Sequence, residues 1–262
     1  MNMHIRKILA ISLLLATTLH AGAADLLDTV KQRGTLRVAM EGTYPPFNYK
    51  ENGQLAGFEV ELSNALAQKL GVKADFTTGE WSALLAGLQA GKYDVVINQV
   101  GITDKRKETF DFSEPYTISS PQLIVRQDEK RDFKTLADLR GKKLGLGQGT
   151  NFADMAKAVG GIDIKTYPGS TEYLQDLALG RIDAAMNDSL LIPYIIKKTK
   201  LPLKAGAPVG EIEKNGIPFA KNNPKFKAAL DKALADMEAD GSFAKISNKW
   251  FDRDVSKPPL AK

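Results

Sequence analysis

Residues 94–116 read DVVINQVGITDKRKETFDFSEPY, and this stretch decides how the rest of the chain is interpreted. It opens with a run of β-branched residues, which is typical of a buried strand. Two neutral amides, Asn98 and Gln99, end that run, and Arg106 follows among other charges. Solubility alone would be met by Lys or Glu at such a position. The pattern therefore predicts a strand whose carboxyl end carries polar groups with a specific partner.

Alternating strand and helix patterns surround this stretch. Strand patterns precede it at residues 35–40 and 72–78, and apolar residues recur at helical spacing in residues 57–71 and 80–94. Residues 41–57, which contain a Pro pair, are predicted as a loop. Strands that alternate with helices imply a parallel sheet with right-handed crossovers.

A second series of the same kind starts near Leu123 and runs to about residue 200. Two helices then end the chain, and Trp250 and Phe251 in the last of them are predicted as core residues. The chain thus contains two α/β units. Open parallel sheets bind ligands beyond the carboxyl ends of their strands, so we expect a site in a cleft between the units.

Composition and the chain ends narrow the function. The chain has 262 residues, and residues 1–24 combine a basic start, a short apolar run and small residues, which predicts an export signal and a periplasmic location. There is no Cys, and both His residues, His4 and His20, lie in that signal. Catalytic triads, thiol nucleophiles and most zinc sites are thereby excluded from the mature chain, and we expect no metal and no cofactor. Interspersed acidic and basic residues argue against nucleic acid as a partner, and we expect a monomer.

The polar groups after the first unit's central strand suit a carboxylate. Backbone N–H groups near Gly101 and the planar guanidinium of Arg106 can bind a carboxylate together with the two amides. Alternatively, Arg106 is a surface charge that pairs with Asp104 or Glu108.

The second unit has a comparable polar turn at residues 145–154, GLGQGTNFAD. Gly147 allows close approach of the backbone, and Thr150 or Asn151 can cap the following helix, with Asp154 completing a capping box from Asn151. A helix N-terminus presents free N–H groups to an anion, although an ordinary capped turn has the same sequence. The Gly spacing matches neither a P-loop nor a dinucleotide fingerprint.

An acid, Asp188, ends the strand predicted at residues 181–188. In a partly buried cleft it needs a cationic partner, and a ligand ammonium would serve. Asp183 in the same strand carries no such positional argument and is a natural control.

Aromatic residues stand before the sheet edge of the first unit. Glu41, Tyr44 and Phe47 lie in the loop after the first strand, and Trp81 opens a helix. The rings could wall a small-molecule site, while Phe47 and Trp81 could equally fill core.

Taken together, these segments resemble the family 3 solute-binding proteins, the periplasmic amino-acid-binding components of ABC transporters. The resemblance runs through the mature chain in EGTYPPFNY, GFEVEL, VVINQVGITDKRKETFDFSEPY, GLGQGTNF, GRIDAAMND and ADGSFAKISNKWF. Within the family, VVINQVGIT and YTIS are most similar to cystine-binding members.

The resemblance implies an α/β fold of two lobes, each a mostly parallel sheet flanked by helices. Lobe 1 would comprise residues 25–120 and 217–262, and lobe 2 residues 121–216. Two hinge strands near residues 118–122 and 214–220 would join them.

The resemblance also implies roles for individual residues. Arg106 matches the position that grips the ligand α-carboxylate, with help from Gly101 and Thr150, and Asp188 matches the position that takes the α-ammonium. The positions that sandwich the ligand side chain fall on Tyr44 and Trp81.

The implied function is that of an importer's binding component, which closes around an L-amino acid and delivers it to a membrane permease. A dehydratase on the same scaffold, using Glu41, Glu80 or Asp188, is an alternative, and so is an extracellular sensor domain. The amides and rings predicted around the cleft, with Arg106 as its cation and Glu41 as its spare acid, favour L-cystine over glutamate. The second lobe would contribute to this lining through Gly147, Gln148, Thr150, Asn151 and Phe152.

Overall fold

A computed structural model describes residues 24–258 of the chain. The signal peptide predicted at residues 1–24 lies outside the described residues, except for its last position. Among the residues described, no helix is both long enough and apolar enough to cross a membrane.

The secondary structure alternates as expected from the sequence. From the N-terminus, the elements are α1 (Leu26–Arg33), β1 (Thr35–Met40), β2 (Thr43–Tyr44), β3 (Asn48–Glu51), β4 (Gln54–Ala56), α2 (Phe58–Lys69), β5 (Lys73–Thr78), α3 (Trp81–Gln89), β6 (Val95–Val96), α4 (Asp104–Lys107), β7 (Phe110–Phe112) and β8 (Thr117–Ser119). There follow β9 (Pro121–Arg126), a 3-10 turn (Leu136–Leu139), β10 (Lys143–Gly147), α5 (Asn151–Val159), β11 (Asp163–Tyr167), α6 (Ser170–Ala178), β12 (Ala184–Asp188), α7 (Leu191–Lys198) and β13 (Leu203–Pro208). The chain then forms β14 (Glu213–Asn215), β15 (Pro218–Ala220), α8 (Pro224–Ala239) and α9 (Ser242–Phe251).

Two five-stranded sheets form the centres of two lobes. The strand order is β5-β1-β6-β15-β7 in the first sheet and β11-β10-β12-β9-β13 in the second. In the first sheet β1 is parallel to β5 and β6, whereas β15 is antiparallel to both of its neighbours. The second sheet repeats this arrangement, with β9 as its antiparallel strand. Each sheet is therefore mostly parallel in strand direction, and the predicted two-lobed α/β fold is confirmed.

The chain crosses between the lobes in two neighbouring strands. β8 and β14 pair antiparallel outside both sheets, with Thr117 opposite Asn215 and Ser119 opposite Glu213. Asn215 also bridges to Gly101. These strands lie within or beside the two predicted hinges, and the lobe boundaries after residues 120 and 216 stay predictions.

The segment predicted as a loop at residues 41–57 differs from the expectation. It forms a three-stranded antiparallel sheet, β2-β3-β4, and the Pro pair occupies the connection between β2 and β3. Each strand has four residues or fewer, too short for a periodic pattern to show.

The capping box predicted for α5 is also wrong. Thr150 is the N-cap, and its side-chain oxygen accepts from the N–H of Ala153 at 3.2 Å. Asn151 is the first helical residue, and Asp154 instead forms a 3.1 Å ion pair with Lys105 of the first lobe. A Thr and an Asn side by side at a helix start are both good N-caps, so the sequence did not distinguish them.

Apolar packing runs from one lobe into the other. One buried cluster includes Phe47 and Phe58 of the first lobe and Tyr173 and Leu190 of the second. Phe251 packs against this cluster, with its ring centroid 5.1 Å from that of Phe58. The lobes are in contact, and a cavity lies where they meet.

Candidate functional site

The cavity between the lobes has a volume of about 50 Å³. This volume is far below the roughly 300–1,000 Å³ of small-molecule sites, so we expect the lobes to separate before an amino acid enters. The cavity is lined by most of the residues predicted for the site, namely Glu41, Tyr44, Trp81, Asn98, Gln99, Gly147, Thr150, Asn151 and Phe152. Pro168, Gly169, Ser170, Tyr173, Met186 and Asn187 complete the lining.

The first lobe contributes a carboxyl–amide pair to the wall. Glu41 follows β1 and Asn98 follows β6, and these neighbours are parallel, so their carboxyl ends meet. The Asn98 amide donates to Glu41 Oε2 at 2.7 Å, and the Glu41 N–H donates to Asn98 Oδ1 at 2.8 Å. Burial raises the pKa of Glu41 to about 7, against the hydrogen bond from Asn98, which lowers it. Within residues 24–258 no cationic side chain lies within 4.0 Å of this carboxyl.

A second buried acid, Glu59, supports the wall from behind. It lies in α2 and accepts from the N–H of Gln99 at 2.7 Å, from Asn48 at 2.6 Å and from the Tyr116 hydroxyl. Burial raises the pKa of Glu59 to about 7, and these three hydrogen bonds lower it. Gln99 has a φ of 47°, a left-handed conformation that this N–H contact helps to hold. Sequence reasoning missed Glu59 because an acid in the first turn of a helix is ordinary.

Arg106 lies beside the cavity rather than on its wall. Its Nη1 donates to the Gly101 carbonyl at 2.9 Å, and its guanidinium carbon is 5.4 Å from the centroid of the Trp81 ring. Burial lowers the pKa of Arg106. In the described part of the chain it forms no ion pair with Asp104 or Glu108, so the surface-pair alternative is not what the structure shows.

Asp188 likewise lies off the cavity wall, where β12 meets the hinge strands. One carboxylate oxygen accepts from the Ser119 hydroxyl, and the other accepts from the N–H of Leu190 at 2.8 Å. Burial raises the pKa of Asp188 to about 6, and the Ser119 hydrogen bond lowers it. The proposed control, Asp183, forms a 2.8 Å ion pair with Arg131 outside the cavity.

Two further predicted residues do not reach the wall. Phe47 is fully buried, with its ring centroid 4.8 Å from that of Tyr44 and 5.6 Å from that of Phe251. The structure therefore shows the core-packing alternative for Phe47, because the turn between β2 and β3 points it into lobe 1. Gly101 is buried where the first lobe meets β14, and its carbonyl accepts from Arg106.

The second lobe closes the cavity through residues that sequence reasoning missed. The Tyr44 hydroxyl donates to Asn187 Oδ1 at 2.6 Å across the lobes, and the Asn187 amide bonds to the Tyr173 hydroxyl. Asn151 donates to Glu213 of β14 at 2.7 Å. No local motif marks Asn187, Tyr173 or Glu213, since their partners are distant in sequence.

Glu213 adds a further acid near the site. Burial raises its pKa to about 7, Asp188 raises it further, and Arg106 lowers it. The region around the cavity therefore holds several buried carboxyls but, among the residues described, no direct ion pair to neutralise them.

Two side-chain donors at the cavity have no partner. They are Trp81 Nε1 and Gln99 Nε2, and they are the two buried side-chain polar atoms that lack a hydrogen bond within residues 24–258. An unsatisfied buried donor costs about 1–3 kcal/mol, which a ligand acceptor can recover. The described residues contain no cluster of acids or other ligands suited to a metal ion.

Fold and site together define a two-lobed binding protein with a polar, partly aromatic cleft. Bacterial extracellular solute-binding proteins, family 3, match residues 36–253 of this chain. The L-cystine-binding protein TcyJ of Escherichia coli strain K12 is 41% identical over 253 residues, which cover 95% of each chain.

Solved structures agree with this assignment. An ancestral arginine-binding protein bound to arginine is 37% identical with a TM-score of 0.79, covering 84% of this chain and 99% of its own. The ancestral amino-acid-binding protein AncCDT-1, a precursor of cyclohexadienyl dehydratase, is 33% identical with a TM-score of 0.80, covering 87% and 100%. The chain belongs to the family 3 extracellular solute-binding proteins, and the predicted similarity to cystine-binding members is confirmed.

Proposed function

We propose that this protein is the periplasmic binding component of an amino-acid ABC importer and that its ligand is L-cystine. The observation that carries the ligand assignment is Glu41, a buried carboxyl on the cavity wall without a cationic partner in the described residues. A ligand with a second cationic group would pair with it. Arg106 would take one ligand carboxylate, and Asp188 the neighbouring ammonium.

Cystine and arginine can both place a cation at Glu41. They differ in whether the end of the ligand that lies near Glu41 also carries a carboxylate. Only cystine carries one, and the unpartnered donors Trp81 Nε1 and Gln99 Nε2 would serve as its hydrogen-bond donors. The name of the TcyJ relative supports cystine, whereas the ancestral structure above was solved with arginine.

Competition calorimetry over amino acids tests the ligand. Cystine should bind at least about tenfold more tightly than cysteine, glutamine, histidine or arginine, a difference of about 1.4 kcal/mol. If arginine binds most tightly and cystine does not compete, the cystine assignment fails while the importer assignment stands.

A dehydratase is the second candidate, because a carboxyl with a pKa of about 7 suits proton transfer and one structural relative is a dehydratase precursor. Glu80 does not favour it, since this residue is exposed at the start of α3. A binding protein should return its tightest ligand unchanged. Turnover that disappears in Glu41→Gln would establish the enzyme instead.

Export and delivery form the remaining part of the proposal. Expression of the full chain should yield a periplasmic protein whose N-terminus begins near Ala24 after cleavage. A chain that keeps its first residues and stays in the cytoplasm would contradict the location. Ligand-dependent stimulation of a reconstituted permease would test delivery.

A further inference from the structure

A second concavity lies between the lobes, separated from the ligand cavity by the end of β12. Met186 and Asn187 line the ligand cavity, whereas Ser189 and Leu190 line this second one, which we call the rear groove. Its volume is about 940 Å³. Small-molecule sites occupy about 300–1,000 Å³, so the rear groove is large enough for a ligand of its own.

Three aromatic side chains from both lobes meet in the rear groove. The ring of Tyr49 in β3 lies 6.2 Å from that of Tyr194 in α7, at an interplanar angle of 55°. It also lies 6.2 Å from the ring of Trp250 in α9, edge to face at 89°. All three residues are half-buried, so part of each ring is open to a ligand.

Three cations that have no acidic partner in the described chain line the same groove. Lys197 and Lys198 end α7 on one wall, and Arg253 follows α9 on the other. Within residues 24–258 none of the three has an acidic group within 4.0 Å, although Arg253 donates to the Ile118 carbonyl at 3.3 Å. The free cations thus flank the aromatic cluster from both lobes.

The remaining charges of the rear groove leave it positive. Lys249 also lines it, but its ammonium is committed to Glu61 at 2.6 Å and lies 5.3 Å from the Trp250 ring centroid. Glu51 and Asp252 are the acids of the lining. The cations of the lining therefore outnumber its acids, and the cations without an acidic partner among the described residues can bind anionic groups.

We propose that the rear groove is a second ligand site, which binds a small organic anion with an aromatic body. The ring packs against Tyr49, Tyr194 and Trp250, and carboxylates pair with Lys197 or Lys198 on one wall and with Arg253 on the other. Ring stacking and ion pairing are each modest at such exposed positions, so the two must act together. This site goes beyond the amino-acid function, because neither its residues nor its ligand class is shared with the cavity.

The distribution of tryptophan makes the proposal testable. The chain has two Trp residues, Trp81 at the ligand cavity and Trp250 in the rear groove. In Trp81→Phe, fluorescence reports on the rear groove alone. Titration with isophthalate, an aromatic dicarboxylate, should give a saturable change with a Kd of about 1 mM or tighter.

Two matched probes separate the contributions of ring and charge. Resorcinol keeps the ring without the charges, and cyclohexane-1,3-dicarboxylate keeps the charges without the aromatic ring. Each should bind at least about tenfold more weakly than isophthalate. No saturable change with isophthalate, or equal binding of all three probes, would overturn the proposal.

A charge reversal then locates the site. Lys197→Glu in the otherwise native chain should weaken isophthalate binding about fivefold or more by calorimetry, whereas Lys157→Glu should not, since Lys157 is an exposed lysine of α5 outside the groove. Equal effects of both variants would show a general charge effect and contradict the site. Amino-acid binding should be unchanged in Lys197→Glu, so this test can fail while the importer function stands.

Discussion

At the scale of single residues, the guanidinium of Arg106 is the group on which ligand affinity should depend most. It is largely buried and has no acidic partner within 4.0 Å in the described chain. A ligand carboxylate would therefore supply the opposite charge that it lacks. We expect Arg106→Ala to weaken amino-acid binding by about 3–5 kcal/mol, which is roughly 100-fold to 4,000-fold, by calorimetry. Lys107→Ala is the control, because Lys107 pairs with Asp104 within α4 and should leave affinity unchanged. Near-native affinity in Arg106→Ala would remove this residue from the site.

Glu41 should cost stability in the ligand-free protein, with a defined pH dependence. Its pKa is about 7 in the folded chain and near 4.5 when unfolded, so the unfolded chain loses its proton first as pH rises. Stability is therefore lost between about pH 4.5 and 7, and the full penalty is present above pH 7. We expect Glu41→Gln to stabilise the ligand-free protein by about 3 kcal/mol at pH 8 and by little at pH 4.5.

Urea unfolding of the native chain and of Glu41→Gln at pH 8 and at pH 4.5 measures this effect. The difference in unfolding free energy between the two proteins at each pH isolates Glu41 from the other buried acids. A stabilisation of equal size at both pH values would show that burial of the charge is not its cause. Ligand affinity should fall in the same variant, because Gln cannot pair with a ligand cation.

The sequence predicted site residues best where a polar or acidic residue follows the end of a predicted strand. Glu41 and Asn98 reach the cavity from the carboxyl ends of parallel strands in the first sheet, and Thr150 reaches it from the carboxyl end of β10 in the second. Glu59 and Glu213 could not be predicted, since their importance arises from burial and from partners distant along the chain. Whether the thirteen predicted residues bind ligand as assigned remains a prediction.

At the scale of elements, the start of α2 depends on a glycine. Gly57 has a φ of 125°, and a Cβ there would lie 2.3 Å from the Phe47 carbonyl oxygen. That carbonyl accepts from the N–H of Glu59 at 2.8 Å, so the backbone cannot retreat without loss of the helix start. We expect Gly57→Ala to lower the free energy of unfolding by about 2–4 kcal/mol in urea titrations.

Gly53→Ala provides the matched control for this prediction. Gly53 also has a positive φ, 80°, but nothing lies within 4 Å of a Cβ added there. Its substitution should cost about 1 kcal/mol from backbone strain alone. Equal losses at both positions would show that the clash with Phe47 does not matter.

Element types followed from periodicity, whereas short and irregular elements did not. The helices α2, α5 and α8 and the strands β1, β10 and β12 carry clear patterns, and the structure contains them. The small sheet β2-β3-β4 was predicted as a loop, because strands this short have no detectable period. β9 and β15 run antiparallel to the other strands of their sheets. This direction is a consequence of the chain crossing between lobes, and local sequence does not encode it.

At the scale of the whole molecule, the lobes are held together by the apolar packing that runs between them and by a few polar contacts. The polar ones include the Tyr44–Asn187 hydrogen bond and the exposed Lys105–Asp154 ion pair. An exposed ion pair contributes about 0–1 kcal/mol, and a neutral hydrogen bond about 1 kcal/mol. These polar contacts therefore add little to the free energy that opposes separation of the lobes, and most of that free energy comes from the shared apolar cluster.

Separation should be visible in solution, since a cavity of about 50 Å³ is far smaller than the roughly 300–1,000 Å³ of small-molecule sites. We expect the ligand-free protein to populate an open arrangement, and its radius of gyration in small-angle scattering to exceed that of the closed arrangement described above. Saturating cystine should reduce that radius, because the ligand contacts both lobes and closes them about the hinge strands.

Arg106→Ala should show no compaction at the same ligand concentration, whereas Lys107→Ala should compact as the native chain does. Identical scattering with and without a ligand whose binding calorimetry has established would contradict closure about the hinge. The protein would then have to admit its ligand by movement of side chains alone, which the direct contact between Tyr44 and Asn187 across the cavity opposes.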